Sequence, residues 1–212
     1  MGHVILLGDS IFDNAAYVRG GPDVVRQLQG ALPSGWRATL CAVDGATTRS
    51  VPSQIAQVPR DATHLVVSAG GNDALGASGV LGMPARVVGE AVAMLAEAQD
   101  AFEASYAAML APILALGLPT ALCTIYDTPS FAAEHRIIKA ALSLFNDRIS
   151  RAAFAKGLPL VDLRLICSED EDYGNPIEPS VQGGDKIARA IARLAAGPEE
   201  DWRRSLVVAA PA

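Results

Sequence analysis

Three short polar segments each follow an apolar, strand-like run: Gly8-Asp9-Ser10 after Val4-Ile5-Leu6-Leu7, Gly45 within Val43-Asp44-Gly45-Ala46, and Gly70-Gly71-Asn72-Asp73. Where a parallel strand ends and feeds a helix, an α/β sheet presents its chemistry, and a serine at that point can act as a nucleophile. Glycine lets a backbone N–H approach a ligand closely, and an asparagine amide is a neutral donor. Gly45, Asn72 and the Ser10 N–H can therefore form an oxyanion hole. Each residue also has a plainer role open to it: Ser10 as a helix N-cap, the glycines as turn residues, Asn72 as an Asx turn or cap.

The elements that must position these residues are read from periodicity. Short apolar runs, His3 to Leu7, Arg37 to Val43, His64 to Ala69, Pro119 to Tyr126 and Leu158 to Leu163, have the length and composition of buried parallel strands. Helical patterns lie between them, near Asn14 to Leu28, Pro52 to Gln57, Ala85 to Leu116, Glu134 to Lys156 and Gly184 to Ala196. The alternation predicts a three-layer α/β/α sandwich around a five-stranded parallel sheet with right-handed crossovers. All three polar segments then fall at one edge of that sheet.

The chain has 212 residues, half of them apolar, enough for one domain with a sizeable core. We expect that domain over residues 1–196, with a tail over 197–212 in which Glu199-Glu200-Asp201 is followed by Leu206-Val207-Val208. The apolar tail permits a homodimer. A net charge of -6 gives no basic field for nucleic acid or an anionic membrane, so a neutral or cationic small molecule fits better. No apolar run approaches the roughly 20 residues of a bilayer helix, and Met1-Gly2-His3 leads straight into a strand without a secretion signal, which predicts a cytoplasmic protein. Cys41, Cys123 and Cys167 are odd in number and widely spaced, as buried reduced thiols would be.

Gly-Asp-Ser after the first strand, a glycine after the second and Gly-Gly-Asn-Asp after the third resemble the first three sequence blocks of the SGNH hydrolases, also called the GDSL esterase and lipase family. The resemblance covers most of the chain. It implies a flavodoxin-like sandwich in which Ser10 is the nucleophile and the Ser10 N–H, the Gly45 N–H and the Asn72 amide hold the oxyanion. No Gly-x-Ser-x-Gly elbow surrounds Ser10 and no Walker or Gly-x-Gly-x-x-Gly loop follows the first strand.

The family's last block, Asp-x-x-His, is altered here. The chain reads Asn175-Pro176-Ile177-Glu178-Pro179-Ser180, with Asn175 at the aspartate position and Glu178 at the histidine position. Histidine plus aspartate carries one negative charge and becomes neutral when the serine proton is taken up, and glutamate plus asparagine does the same. The expectation is a Ser10–Glu178 dyad, with Asn175 orienting Glu178 by hydrogen bonding, in an esterase acting on a small-molecule ester. The alternative is an inactive or weak module of the same fold that binds a carboxylate, acyl or sugar ligand.

The remaining polar residues have supporting roles. His3 and His64 start strands, at the edge away from the crevice, and His135 near the start of a helix is expected to be dispensable. Asp9 is expected to shape the Ser10 turn, Asp13 to cap the following helix, Asp73 to fix the loop that presents Asn72, Tyr126 and Asp127 to line the acyl or alcohol pocket, and Asp162 to pair with Arg164. The scattered histidines and cysteines have no metal-ligand spacing, and a serine mechanism needs neither metal nor cofactor.

Overall fold

The computed structural model describes residues 1–198 and 207. The tail expected at 197–212 therefore lies almost wholly outside the described residues. Five strands, β1 (His3–Gly8), β2 (Arg37–Leu40), β3 (His64–Ser68), β4 (Thr120–Cys123) and β5 (Leu160–Val161), pair in parallel in the order β2-β1-β3-β4-β5. This is the predicted five-stranded parallel sheet with helices on both faces. The sequence of strands reverses direction across the sheet between β1 and β3, the switch point where such sheets open a crevice.

β1 is buried along its whole length because both of its faces are covered. Val4 and Leu6 face one apolar layer, formed with α1 (Val24–Ala31), α5 (Leu163–Ile166) and α6 (Val181–Ala196). Ile5 and Leu7 face the other, formed with α3 (Val88–Leu114) and α4 (His135–Ala155). The remaining helix, α2 (Gly71–Ala77), starts at the end of β3.

Several elements differ from the sequence expectation for identifiable reasons. The helix expected from Asn14 begins only at Val24, after Gly20-Gly21-Pro22 breaks the pattern, and Asp23 caps it by accepting from the Arg26 N–H at 2.9 Å. Asp13 caps no helix; its carboxylate accepts the Asp44 N–H at 2.9 Å. β4 and β5 are shorter than their apolar runs because Pro119 and Pro159 lack N–H groups and enter the ladder only as acceptors, from Leu65 and Leu122. Residues 51–57 form a 3-10 helix instead of an α-helix, while glycine-rich 71–82, expected to be loop, holds α2 and a further 3-10 turn. α6 starts three residues before Gly184, capped by Ser180.

Candidate active site

Ser10 follows β1 directly and is buried. The turn that carries it begins at Gly8, whose φ of 131° belongs to glycine; a Cβ there would stand 1.7 Å from the Ser68 carbonyl oxygen on the neighbouring strand. Asp9 donates its N–H to that carbonyl at 3.1 Å, and its Oδ1 accepts the Ile11 N–H at 3.2 Å. Asp9 thus shapes the serine turn from within.

The turn after β2 is tied to the end of β1 by Val43, whose N–H donates to the Gly8 carbonyl at 3.1 Å. Gly45 lies in this turn at φ 76°, exposed. Asn72, the second residue of α2, donates from Nδ2 to the Ala46 carbonyl at 2.9 Å, which leaves its second amide hydrogen free. Asp73 accepts the N–H of Thr48 at 3.0 Å and its hydroxyl at 2.6 Å, so α2 is fastened to the same turn. Among the described residues, neither the Ser10 N–H nor the Gly45 N–H donates a hydrogen bond within the chain. Ser10 and Asn72 border one cavity, while the turn carrying Gly45 is tied to the same strand end through Val43 and Asn72.

Glu178 arrives on the loop between Tyr173 and Pro179, whose ends pair as an antiparallel bridge. Asn175 Oδ1 accepts the N–H groups of Ile177 at 2.8 Å and Glu178 at 2.9 Å. Asn175 thus holds Glu178 by its backbone N–H. Glu178 is only 5% exposed, and its Oε2 is buried without a hydrogen-bond partner. Desolvation raises its pKa above 4.5; a hydrogen bond from the Ser10 side chain opposes the rise and the charge of Asp44 adds to it.

A cavity of about 360 Å³ opens beside Ser10 and Asn72. Its walls are apolar, built by Ile11, Leu75, Ile125, Tyr126, Ile138, Leu142 and Ile177, with Asp127 and Thr128 at the side of β4. Gly45 and Glu178 do not line it; Glu178 adjoins its wall through Ile177. The Tyr126 hydroxyl donates to the Ile177 carbonyl, so the strand-four side of the cavity is joined to the Glu178 loop. Asp9 also borders the cavity, and burial pushes its carboxyl up to about 7, with the Ile11 N–H opposing and the charges of Glu178 and Asp73 adding.

The other candidates lie elsewhere. His3 is buried at the opposite sheet edge, between Asp61 at 3.2 Å and Thr39 at 2.7 Å, and His64 contacts Thr63 at 2.8 Å. His135 lines a separate groove between α3 and α4. Asp162 caps α5 and pairs with Arg164. Cys41, Cys123 and Cys167 are free and buried, and among the described residues no cluster of three or more histidines, cysteines or carboxylates is placed to hold a metal ion. Nor is any described helix long and apolar enough to cross a membrane.

Two side chains of the site carried no sequence signal. Gln54 and Asn146, both buried, each pair with the N–H and the carbonyl of a single residue, Gly8 and Ile125 respectively, where the strand ladders end. Both lie within helical segments remote in sequence from the residues they hold.

A five-stranded parallel sandwich with a serine at its switch point and donors on the two adjacent strand ends defines a class of α/β hydrolytic folds. The chain belongs to the GDSL-like lipase/acylhydrolase family, also known as the SGNH hydrolases, which matches residues 6–186. Similar solved structures include the extracellular lipase of Streptomyces rimosus, at 16% identity and a TM-score of 0.68 over 92% of this chain and 100% of that one. The lipase Lip_vut3 from a goat rumen metagenome shares 17% identity, with a TM-score of 0.71 over 93% and 99%. Est24, a carbohydrate acetylesterase of Sinorhizobium meliloti, shares 11%, with a TM-score of 0.62 over 92% and 99%. At these identities the likeness is one of fold. No curated protein matches the sequence.

Proposed function

We propose that the chain is a carboxylic ester hydrolase in which Ser10 is the nucleophile, Glu178 the general base, and the Ser10 N–H, Gly45 N–H and Asn72 amide the oxyanion hole. The observation that carries the reading is the buried Glu178 carboxylate beside Ser10, with one oxygen unpartnered. Ser10 Oγ attacks the ester carbonyl as its proton passes to Glu178. The C–O bond to the alcohol then breaks and that proton moves to the departing oxygen. Water repeats the sequence on the acyl-enzyme, giving its proton to Glu178, and the acid leaves as the proton returns to Ser10. The apolar cavity takes the acyl group, which favours a small, neutral acyl ester in a cytoplasmic setting.

An unperturbed glutamate is about 2 pKa units less basic than histidine, a handicap of roughly 3 kcal/mol in proton affinity. Desolvation of Glu178 reduces that handicap, and with Asn175 in place of aspartate no second carboxylate stands at the histidine-partner position. The test is hydrolysis of a short-to-medium p-nitrophenyl ester series by the native protein and Ser10→Ala, with organophosphonate labelling of the same pair. Turnover and labelling that both vanish in Ser10→Ala support the esterase. Equal background, no labelling and saturable binding of a carboxylate or acyl ligand would replace it with the binding module.

A further inference from the structure

The cavity beside Ser10 and Asn72 has apolar walls but a polar floor. Asp9, which follows β1, and Ser68, which ends β3, both belong to its lining. Each is only 3% exposed. A buried hydroxyl or carboxyl is ordinarily hydrogen-bonded within the fold, so every polar side chain around the cavity should have a partner. Asn72 bonds to Ala46, the Tyr126 hydroxyl to Ile177 and Thr128 to Pro176, and Asp127 pairs with Lys139. Two oxygens are left over, one on Asp9 and one on Ser68.

Ser68 Oγ makes no hydrogen bond among the described residues, and Asp9 uses only Oδ1, which accepts the Ile11 N–H at 3.2 Å. Unlike Glu178 Oε2, neither leftover oxygen is fully enclosed by protein, so both meet the open space of the cavity. Gly71 keeps Asp9 Oδ2 uncovered, since a Cβ on that glycine would stand 3.8 Å from it. Burial, opposed by the Ile11 N–H and aided by the charges of Glu178 and Asp73, pushes the Asp9 carboxyl up to about 7. Near neutral pH its free oxygen is therefore divided between donor and acceptor. A hydrocarbon chain in the cavity leaves both oxygens without partners, whereas a hydroxyl donates and accepts and so serves Asp9 in either state.

We propose that Asp9 and Ser68 form a polar subsite for a hydroxyl on the acyl group, so that the protein takes esters of short hydroxy acids in preference to plain alkanoates. The inference deepens the esterase reading and rests on it for the ester bond, while the subsite itself stands without the Ser10 chemistry. A sugar in this cavity matches it less well, because its many hydroxyls would face apolar side chains from the walls. One hydroxyl on a short chain meets the floor and leaves hydrocarbon for the rest.

Hydrolysis of p-nitrophenyl butyrate is compared with that of its 2-hydroxy and 3-hydroxy derivatives, in the native protein and in Ser68→Ala, Asp9→Ala and Asp9→Asn. The native kcat/KM is expected to favour at least one hydroxyacyl ester by about 10–100-fold, the range of one or two hydrogen bonds to buried partners. Ser68→Ala lowers that preference by up to about tenfold. Asp9→Ala abolishes it, and Asp9→Asn, which still donates and accepts, retains most of it. Damage to the serine turn would slow all three esters alike and leave the ratio where it was. Calorimetric titration of Ser10→Ala with the ethyl esters of the same acids reads the subsite without turnover, and a hydroxy ester should bind about tenfold more tightly than ethyl butyrate. That preference in binding, without turnover by the native protein, would remove the esterase reading and leave the subsite standing. Equal affinity of Ser10→Ala for all the ethyl esters, or a kinetic preference that Ser68→Ala and Asp9→Ala both leave unchanged, overturns the proposal.

Discussion

Gln54 pairs with both backbone groups of Gly8, its Oε1 accepting the Gly8 N–H at 2.8 Å and its Nε2 donating to the Gly8 carbonyl at 2.7 Å. It does so with only 2% of its surface exposed. Together with the Asp9 N–H on the Ser68 carbonyl, the amide fixes the strand end that precedes Ser10.

Replacing Gln54 by leucine leaves the Gly8 N–H unsatisfied and, in the proposed mechanism, misplaces Ser10 as the nucleophile. The expected outcome in steady-state ester hydrolysis is a kcat lower by about 10–100-fold with KM within twofold, since small misplacements are costly in the chemical step. Phosphonate labelling of Ser10 should slow in parallel. A lowered melting temperature with both rates unchanged would assign Gln54 to stability alone.

Glu178 should govern the acid side of the pH profile. Because burial raises its pKa, its base form is lost as pH falls through a value above 4.5. In the native protein kcat/KM is expected to decline along that limb. In Glu178→Gln the rate should drop by ~10²–10⁴-fold and the limb should vanish. A limb that survives in the variant would place the base elsewhere.

Asp9 should set a pH dependence of stability with the opposite sense from most carboxylates. Its folded-state value of about 7 exceeds the ordinary 3.8, so the folded chain holds the proton more tightly and loses stability as pH rises between them. Asp9→Asn keeps the acceptor for Ile11 and removes the charge. Denaturant titrations should show the variant gaining on the native chain from pH 4 to pH 8, by up to about 4 kcal/mol. A constant difference across that range would contradict the assignment.

In the proposed mechanism Asn72 is the oxyanion donor that substitution can isolate. Asn72→Ala should lower kcat by ~10²–10³-fold with KM little changed, as loss of one preorganised donor does. Loss of its bond to Ala46 should cost only about 1 kcal/mol of stability. A change confined to KM would mean that Asn72 binds the ground state.

The placement of Ser10, Gly45 and Asn72 after the ends of β1, β2 and β3 was legible in the sequence, because those ends are marked by apolar runs that stop short of them. The five strands and the helices on both faces follow from the same runs, whereas the strand order β2-β1-β3-β4-β5 does not, because run length and composition say nothing of which strands pair. Helix boundaries near glycine were less legible: residues 71–82 look like loop because their propensity is poor, yet α2 forms there, held by Asn72 and Asp73 to the turn after β2. The role of Asn175 was half legible, since its type announced a hydrogen bond to Glu178 but not that the backbone would receive it. Gln54 and Asn146 could not be read at all, because a buried amide that pairs with distant backbone groups leaves no periodic trace.

Ser10 and Glu178 come from near opposite ends of the chain, and the loop bearing Glu178 is seated by Tyr126 and by the start of α6. During synthesis at about 5–20 residues per second, the serine therefore precedes the glutamate by roughly 10–30 s. Throughout that interval a nascent chain holds the proposed nucleophile without its proposed base. On the proposed mechanism the completed pair is thus a timer as well as a site: Ser10 becomes reactive only once the Glu178 loop is seated, and the appearance of a labelled Ser10 would report the end of folding.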